Sequence, residues 1–287
     1  MDLSIIIPSY NTKNLLDRCL SSVYQSLKGS KMSFEVIVVD NASIDGSREL
    51  LSKKYPRTLK ILNKNNLGYG KANNQGILEA KGNYVLLLNS DIEVFDDAIG
   101  DLYDFASNNP KTFVGGKLFN QDGSPQSSCG PTYTLPVIAL MLFCKGDWLG
   151  MTRYSPDQIR RVDWISGACL MGRKSAFIDV GLFDEHIFMY MEEIDLLYRA
   201  KEKRYAVKFF PGAHFIHTGA ASSGNRKEPV ANIYRGILYF YKKHRSIMEL
   251  RIVGYMLRAK ALLAIAIGKL TGNVSLIDTY EQALQLV

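Results

Sequence analysis

Three short stretches carry the side chains able to do chemistry. Asn89, Ser90 and Asp91 close the apolar run Tyr84 to Leu88. An amide and a carboxylate two residues apart can hold one hard divalent cation and reach a ribose or phosphate beside it. Asp40, Asn41 and Ser43 follow a second apolar run, Phe34 to Val39, and lead through Asp45 and Gly46 into a helical pattern. Glu192, Glu193 and Asp195 open a third pattern, and His214 and His217 lie between two glycines further on. A histidine in a loop after a strand is well placed for function. Each group also has a structural reading. Asn-Ser-Asp suits a turn with a helix cap, and acidic residues in a first helical turn gain from the helix dipole.

The elements that must position these groups are legible from the spacing of apolar residues. Tyr84 to Leu88 shows no polar alternation, which predicts a strand buried on both faces in the middle of a parallel sheet. Open α/β sheets bind ligands beyond the carboxyl ends of their strands, where Asn89 to Asp91 fall. Leu3 to Ile7, closed by Pro8, reads as a first strand. Leu15, Leu16, Cys19, Leu20, Val23 and Leu27 follow at helical spacing. Thr58 to Leu62 is expected to be a third strand. Beyond it, Gly68 and Gly70 let the backbone approach a ligand, and Lys71 can meet a phosphate at the start of a helix that runs to Ala80. The order strand, helix, strand, helix, strand, helix, strand predicts a parallel sheet with right-handed crossovers, a nucleotide-binding half.

The second half is less regular. A helix is expected over Ala98 to Asn108, a strand over Thr112 to Phe119, and a turn at Gln121 to Pro125. Within 132–150, the apolar stretch Leu135 to Cys144 fits a piece of core, a mobile lid or a lipid-facing patch. Val162 to Met171 reads as one strand whose small central residues leave room for a ligand. Ala206 to Phe210 is expected to be a strand leading into the loop with His214 and His217. From Glu228 onward the pattern is helical, with Tyr234, Ile237, Leu238 and Tyr241 on one face. Lys242, Lys243, His244, Arg245, Arg251, Arg258, Lys260 and Lys269 make these helices basic, suited to an anionic membrane surface or to packing on the sheet or a second copy of the chain.

A chain of 287 residues that is 47% hydrophobic and 22% charged can bury a large core, which excludes disorder as its default. The net charge of +7 favours anionic partners. Cys19, Cys129, Cys144 and Cys169 form no CxxC pair, so reduced thiols in a cytoplasmic protein are expected, with no zinc site or disulfide framework. The start lacks a basic, signal-like segment, and no run is apolar for eighteen residues, so neither a signal peptide nor a spanning helix is expected. A dinucleotide-binding dehydrogenase is excluded by Pro8 to Asn11, which stand where a Gly-x-Gly-x-x-Gly would follow the first strand. The basic residues gather in the C-terminal helices without a nucleic-acid-binding module, so no nucleic-acid partner is expected.

Taken in order, Ser4-Ile-Ile-Ile-Pro-Ser-Tyr-Asn11, Val38-Val-Asp-Asn-Ala-Ser43, Asn66-Leu-Gly-Tyr-Gly70 with Asn73, Leu88-Asn-Ser-Asp91, Trp164 with Gly167 and Ala168, Gly181-Leu-Phe-Asp-Glu185, Met189-Tyr-Met-Glu-Glu193 with Asp195, and His217 resemble the motifs of one family. Over about residues 3–240 the chain is similar to the inverting family-2 glycosyltransferases, and among them to rhamnosyltransferase-like bacterial members. The resemblance implies a GT-A fold, a Rossmann-like mixed, mostly parallel sheet flanked by helices. It divides the chain into a catalytic domain at 1–228, with a nucleotide-binding half at 1–100 and an acceptor half at 101–228, and a helical extension at 229–287.

By position, the resemblance implies that Pro8, Tyr10 and Asn11 line the nucleotide pocket, that Asp40 bonds the base with Ser43 nearby, and that Asn66, Gly68 and Lys71 border the nucleotide and pyrophosphate. Asn89, Ser90 and Asp91 stand where the family has Asp-x-Asp, which makes Asp91 the main ligand for Mg2+ or Mn2+. The first aspartate of that motif is an asparagine here, one negative charge fewer, and His217 matches a histidine that completes the metal site in related enzymes. Trp164, Gly167 and Ala168 face donor sugar or acceptor. The family's acidic pair is Glu-Asp with the second member as base. Here the pair is Glu192-Glu193, so Glu193 is the expected base, with Glu192 and Asp195 as alternatives.

The implied partners are a nucleotide-sugar donor, with dTDP-rhamnose ahead of UDP-hexoses, and a polysaccharide or lipid-linked acceptor. The implied location is the cytoplasm, on the inner face of the plasma membrane. The rival from another class is a non-catalytic, sugar-nucleotide-binding scaffold protein, consistent with the departures at Asn89 and Glu193.

Overall fold

The computed structural model describes residues 1–219 and 227–287, so the end of the 101–228 segment falls partly outside the described residues. The first half builds β1 (Leu3–Ser9), α1 (Lys13–Ser26), β2 (Phe34–Asp40), α2 (Ser47–Lys53), β3 (Leu59–Leu62), α3 (Tyr69–Glu79) and β4 (Tyr84–Leu88). Then come β5 (Ile92–Val94), α4 (Ala98–Ser107), β6 (Thr112–Phe119), β7 (Pro125–Gln126), β8 (Cys129–Gly130), α5 (Leu135–Phe143), β9 (Arg160–Arg161) and β10 (Trp164–Ile165). The chain continues with β11 (Cys169–Arg173), α6 (Lys174–Val180), α7 (Glu192–Glu202) and β12 (Ala206–His217), and ends in α8 (Lys227–His244), α9 (Ile247–Thr271) and α10 (Val274–Leu284).

One mixed sheet runs β3-β2-β1-β4-β11-β6-β12-β5. Its first four strands are parallel, β11 is antiparallel to β4, and β6 and β12 are parallel to each other. Every residue of β4 is buried, as its unbroken apolar run predicts. Val85 and Leu87 join one apolar layer with Ile6 and Ile37, while Leu86 and Leu88 join the opposite layer with Ile5, Ile7 and Val38. Helices therefore cover both faces, and the strand ends of β1, β2 and β4 are left to carry polar groups.

β1 runs past Pro8 to Ser9, because β4 pairs with it only through Ile6 while β2 continues alongside to Asp40. Two expectations for the second half are corrected. Val162 to Met171 is not one strand: β10 pairs with β8 in a small separate sheet, and β11 joins the main sheet. The chain turns between them at Ser166 to Ala168, where the Tyr69 hydroxyl donates to the Gly167 carbonyl at 2.6 Å. Nor do His214 and His217 occupy a loop. β12 continues to His217 past a register shift between Phe210 and His214, opposite Gly116 and Lys117, so Pro211, Gly212 and Ala213 are looped out. The segment Leu135 to Phe143 is a helix that packs on α9, with Ile138 its one fully buried residue. Among the described residues, no helix is long and apolar enough to cross a membrane.

Candidate active site

A cavity of about 1020 Å³ opens beyond the carboxyl ends of β1 and β4. On the strand side it is walled by Pro8, Tyr10, Asn66, Gly68 and Asn89 to Asp91. Gln126, Ser128, Arg153, Trp164, Gly167, Ala168, Glu192, Glu193 and His217 line the other side, with Arg235 and Tyr239 of α8. Both halves of the chain therefore meet at one cleft.

Hydrogen bonds between loops hold the strand-side rim. The Ser90 hydroxyl lies 2.9 Å from that of Thr12, which lies 3.0 Å from that of Ser9. The Asn89 N–H donates to the Ala168 carbonyl at 3.1 Å, which ties the end of β4 to the Ser166–Ala168 turn. Gly68 has φ +85°, and a Cβ there would sit 2.5 Å from the Phe188 carbonyl oxygen, so only glycine lets these two loops close on one another.

Asp91, Asn89 and His217 converge. His217 Nε2 lies 3.3 Å from Asp91 Oδ1 and 3.3 Å from Asn89 Nδ2. The other Asp91 oxygen accepts the Gly219 N–H at 3.0 Å, and Asn89 Oδ1 is buried with no hydrogen-bond partner. Among the described residues, no three His, Cys, Asp or Glu side chains cluster as a closed metal cage. The residues still fit a divalent cation of the kind that takes one or two protein donors and completes its shell with substrate phosphates. A carboxylate oxygen and an imidazole nitrogen, both electron-pair donors, lie 3.3 Å apart, and the amide beside them turns its Nδ2 to that nitrogen and keeps an unpartnered Oδ1.

Glu192 and Glu193 start α7 directly after Tyr190 and Met191, two consecutive non-glycine residues in the left-handed region with φ of 66° and 73°. That backbone is costly, and it persists where the surroundings impose it. Here the Tyr69 N–H donates to the Phe188 carbonyl at 3.0 Å, and α8 presses on the turn through Gly236, where a Cβ would lie 2.8 Å from Met191 Cγ and 3.0 Å from the Tyr190 oxygen. Both glutamates carry a buried Oε2 with no partner. Burial first, and then the charge of Glu193, push the Glu192 carboxyl well above its usual range. Burial also raises Glu193, opposed by its own backbone N–H and by the Arg153 guanidinium. Two carboxyls this close and this buried disfavour one another's ionised form, and the nearby Arg153 guanidinium favours that of Glu193.

Not every residue singled out in the sequence lines the cavity. Asp40 is fully buried behind it, with Oδ1 accepting from Arg48 Nε at 2.6 Å and the Ser43 N–H at 3.1 Å, and Oδ2 unpartnered. Asn11 and Ser43 bind one another's loops: the Ser43 hydroxyl accepts the Asn11 N–H, and Asn11 Oδ1 accepts the Ile44 N–H, each at 2.9 Å. Lys71 turns toward Glu185 at 3.6 Å. Trp164 donates its indole N–H to the Pro131 carbonyl at 3.0 Å and is 1% exposed, so it forms the wall more than it reaches out. Asp195 lies outside the cavity lining with no exposed surface, held by Arg199 at 2.8 Å, Lys243 at 2.8 Å and His244 at 2.7 Å. Burial raises its carboxyl, but His244, Arg199 and Lys243 outweigh it and hold the group below its usual range. Gln126, Ser128, Arg153, Arg235 and Tyr239 were not found from the sequence. Arg153 stacks on Trp164 at 5.2 Å, a pairing between residues eleven apart that no local pattern announces.

A mixed α/β sheet with a cleft at its strand ends, walled by an Asn-Ser-Asp motif, a histidine and an acidic pair, is the architecture of the GT-A class of glycosyltransferases. Two solved structures share the fold. GalNAc-T7 with UDP, GalNAc and Mn2+ aligns with TM-score 0.57 and 16% identity, over 84% of this chain and 50% of that one. S. aureus TarS, residues 1–349, aligns with TM-score 0.54 and 16% identity, over 99% of this chain and 90% of that one. The model of the family described as Glycosyl transferase family 2 matches residues 4–134. The N-acetylglucosaminyl-diphospho-decaprenol L-rhamnosyltransferase of Mycobacterium tuberculosis is 30% identical over 252 residues, covering 80% of each chain. This chain belongs to glycosyl transferase family 2, among its rhamnosyltransferase-like members.

Proposed function

We propose that the protein is an inverting glycosyltransferase that moves a sugar from a nucleoside-diphosphate donor to a hydroxyl of a lipid-linked or polysaccharide acceptor. dTDP-rhamnose is the favoured donor and UDP-hexoses come next, a ranking that rests on the likeness to the mycobacterial rhamnosyltransferase. The observation that carries the reading is the meeting of Asp91, Asn89 and His217 with Glu193 at one cavity. In this reading residues 1–228 are the catalytic domain and 229–287 its helical extension.

Asp91 and His217, with Asn89 Oδ1, would hold Mg2+ or Mn2+. When bound, such an ion stabilises negative charge on a departing diphosphate as a Lewis acid. The chain's own contribution is to orient and to move a proton. Tyr10, Asn66 and Gly68 border the nucleotide side, and the Tyr69–Gly167 hydrogen bond keeps the far wall at a fixed distance from it. The Glu193 carboxylate takes the proton of the acceptor hydroxyl as that hydroxyl's oxygen bonds to the anomeric carbon, while the bond from that carbon to the diphosphate oxygen breaks on the opposite side. One displacement with one base inverts the centre, and no enzymic nucleophile takes part. Glu192, kept neutral beside it, adds no second charge to repel the developing alkoxide.

The test is transfer or hydrolysis of nucleotide sugars with Mn2+ or Mg2+, alongside thermal-shift screening of the same ligands, since a ligand that binds the folded state raises the melting temperature. Turnover that Asp91→Ala abolishes supports the enzyme. Nucleotide binding that survives EDTA, with no turnover on any donor, would make the protein a binding scaffold instead.

We further propose that α9 rests on an anionic membrane at the cytoplasmic face of the plasma membrane. Its exposed side carries Met248, Ile252, Tyr255, Leu262 and Leu270 interleaved with Arg251, Arg258 and Lys269, a pattern suited to the headgroup region. Sedimentation with anionic vesicles that weakens as salt rises supports this, and no binding at low ionic strength refutes it.

A further inference from the structure

Behind His217 lies a chain of hydrogen bonds whose direction is set at its far end. Asp122, in the turn between β6 and β7, accepts the Ser124 O–H at 2.6 Å and the Ser124 N–H at 2.9 Å. Those bonds hold its carboxyl below the usual range, and an ionised carboxylate can only accept. With its O–H directed at Asp122, the Ser124 hydroxyl accepts from Asn120 Nδ2 at 2.9 Å. With its NH2 committed there, Asn120 presents Oδ1 to Gln126 Nε2 at 3.0 Å. Gln126 Nε2 also points to the His217 carbonyl oxygen at 3.4 Å, so both neighbours of that nitrogen are acceptors and the amide has one orientation. Its Oε1 therefore faces His217 Nδ1, at 2.7 Å. An amide oxygen carries no proton, so Nδ1 is the donor. A neutral imidazole that donates from Nδ1 keeps its lone pair at Nε2, the nitrogen turned to Asp91 and Asn89.

We propose that Gln126 is a positioning residue: through the relay Asp122, Ser124, Asn120 and Gln126 it fixes His217 as the tautomer whose Nε2 lone pair faces Asp91. The use of that lone pair for a divalent cation rests on the function proposed above, whereas the tautomer itself does not. That lone pair and the Asp91 oxygen, 3.3 Å apart, are both acceptors, and in the metal-free protein the Asn89 amide N–H, 3.3 Å from the same nitrogen, is the donor that faces it. The relay thus makes the face ready for a cation before any arrives. Outer-sphere partners of this kind commonly tune metal affinity by about 10- to 100-fold.

The chain has four histidines, so long-range 15N correlation spectra of histidine-labelled protein resolve His217 directly. The expected spectrum shows a protonated Nδ1 and a bare Nε2 at neutral pH in the metal-free protein. Gln126→Leu should abolish that bias, Ser124→Ala, at the exposed end of the relay, should weaken it, and Gln126→Glu, which keeps an acceptor facing Nδ1, should restore it. Mn2+ binding in the presence of dTDP and, separately, of UDP, followed by electron paramagnetic resonance, should weaken about 10-fold or more in Gln126→Leu. A proton on Nε2 of the unaltered protein, or His217 signals indifferent to Gln126→Leu and Ser124→Ala alike, overturns the proposal. A tautomer that follows the relay while Mn2+ binds neither protein supports the proposal and sinks the metal-dependent reading instead.

Discussion

The two walls of the cleft reach their geometry by different means. On the donor side, the polar groups sit at the ends of parallel strands or within a few residues past them, and the register of Ser9 with Asp40 in neighbouring strands sets the spacing. On the acceptor side, Glu193 depends on a left-handed turn clamped by Tyr69 through the Phe188 carbonyl, by Gly236, and by Lys243 and His244 through Asp195, all four of them distant in sequence. The first wall is determined by backbone pairing and the second by side-chain contacts. The donor side should therefore lose stability when its packing is disturbed, while the acceptor side should lose rate.

Glu193→Gln gives the largest effect. Removing a general base typically costs about 10²- to 10⁴-fold in rate, and here nucleotide affinity should stay unchanged because the donor wall is untouched. Steady-state transfer beside nucleotide titration checks it, and equal losses in both would erase the distinction between the walls. A matched pair of glycines sharpens it. A Cβ at Gly76 on α3 would lie 2.4 Å from Ile6 Cγ2, in the core beneath β1. Gly76→Ala should cost about 1–3 kcal/mol of stability by overpacking, read in urea unfolding. Gly236→Ala, against Met191 and Tyr190, should instead lower the turnover rate with a smaller change in the unfolding midpoint.

Asp184 comes next. Burial raises its carboxyl, but bonds from Lys243, His186 and Tyr239 outweigh that and hold it far below the usual range. A depressed folded-state value contributes stability that is present above the unfolded value, ~3.9, and is lost as pH falls below it. Asp184→Asn should therefore cost about 2 kcal/mol at neutral pH and flatten the acid loss of stability, as unfolding midpoints between neutral and acid pH will show. The smallest effect is on the pH profile. With Glu193 as the proposed base, rate should rise with pH as it ionises, and Arg153 favours that ionised form. Arg153→Met should move the acid limb to higher pH, by a modest amount because the guanidinium is exposed.

The same contrast decides what was legible in the sequence. Asn89 to Asp91 were picked out because an apolar run ending on polar residues marks a strand end, and strand ends of such a sheet face ligands, whereas Asp40, marked by the same signal, lies buried behind the cavity. His217 was found for its motif but expected in a loop, because the looped-out Pro211 to Ala213 mimic the end of a strand that resumes after them. Asp195 was carried as an alternative base, yet Arg199 four residues on already offered a partner at helical spacing. Gln126 gave no signal at all, since the direction of an amide's hydrogen bonds depends on partners brought together only by the pairing of β6, β7 and β12. Arg153 and Arg235 lie on segments whose local pattern says nothing about where they fold.

The single sheet that crosses both halves has a mechanical consequence. β11 is bonded to β4 along its whole length and touches β6, so the donor and acceptor walls share one rigid floor with no hinge between them. Such a floor does not swing open as two lobes. In an enzyme built this way, access to the cleft would be set by the segments that border it and not by a rotation of one half against the other.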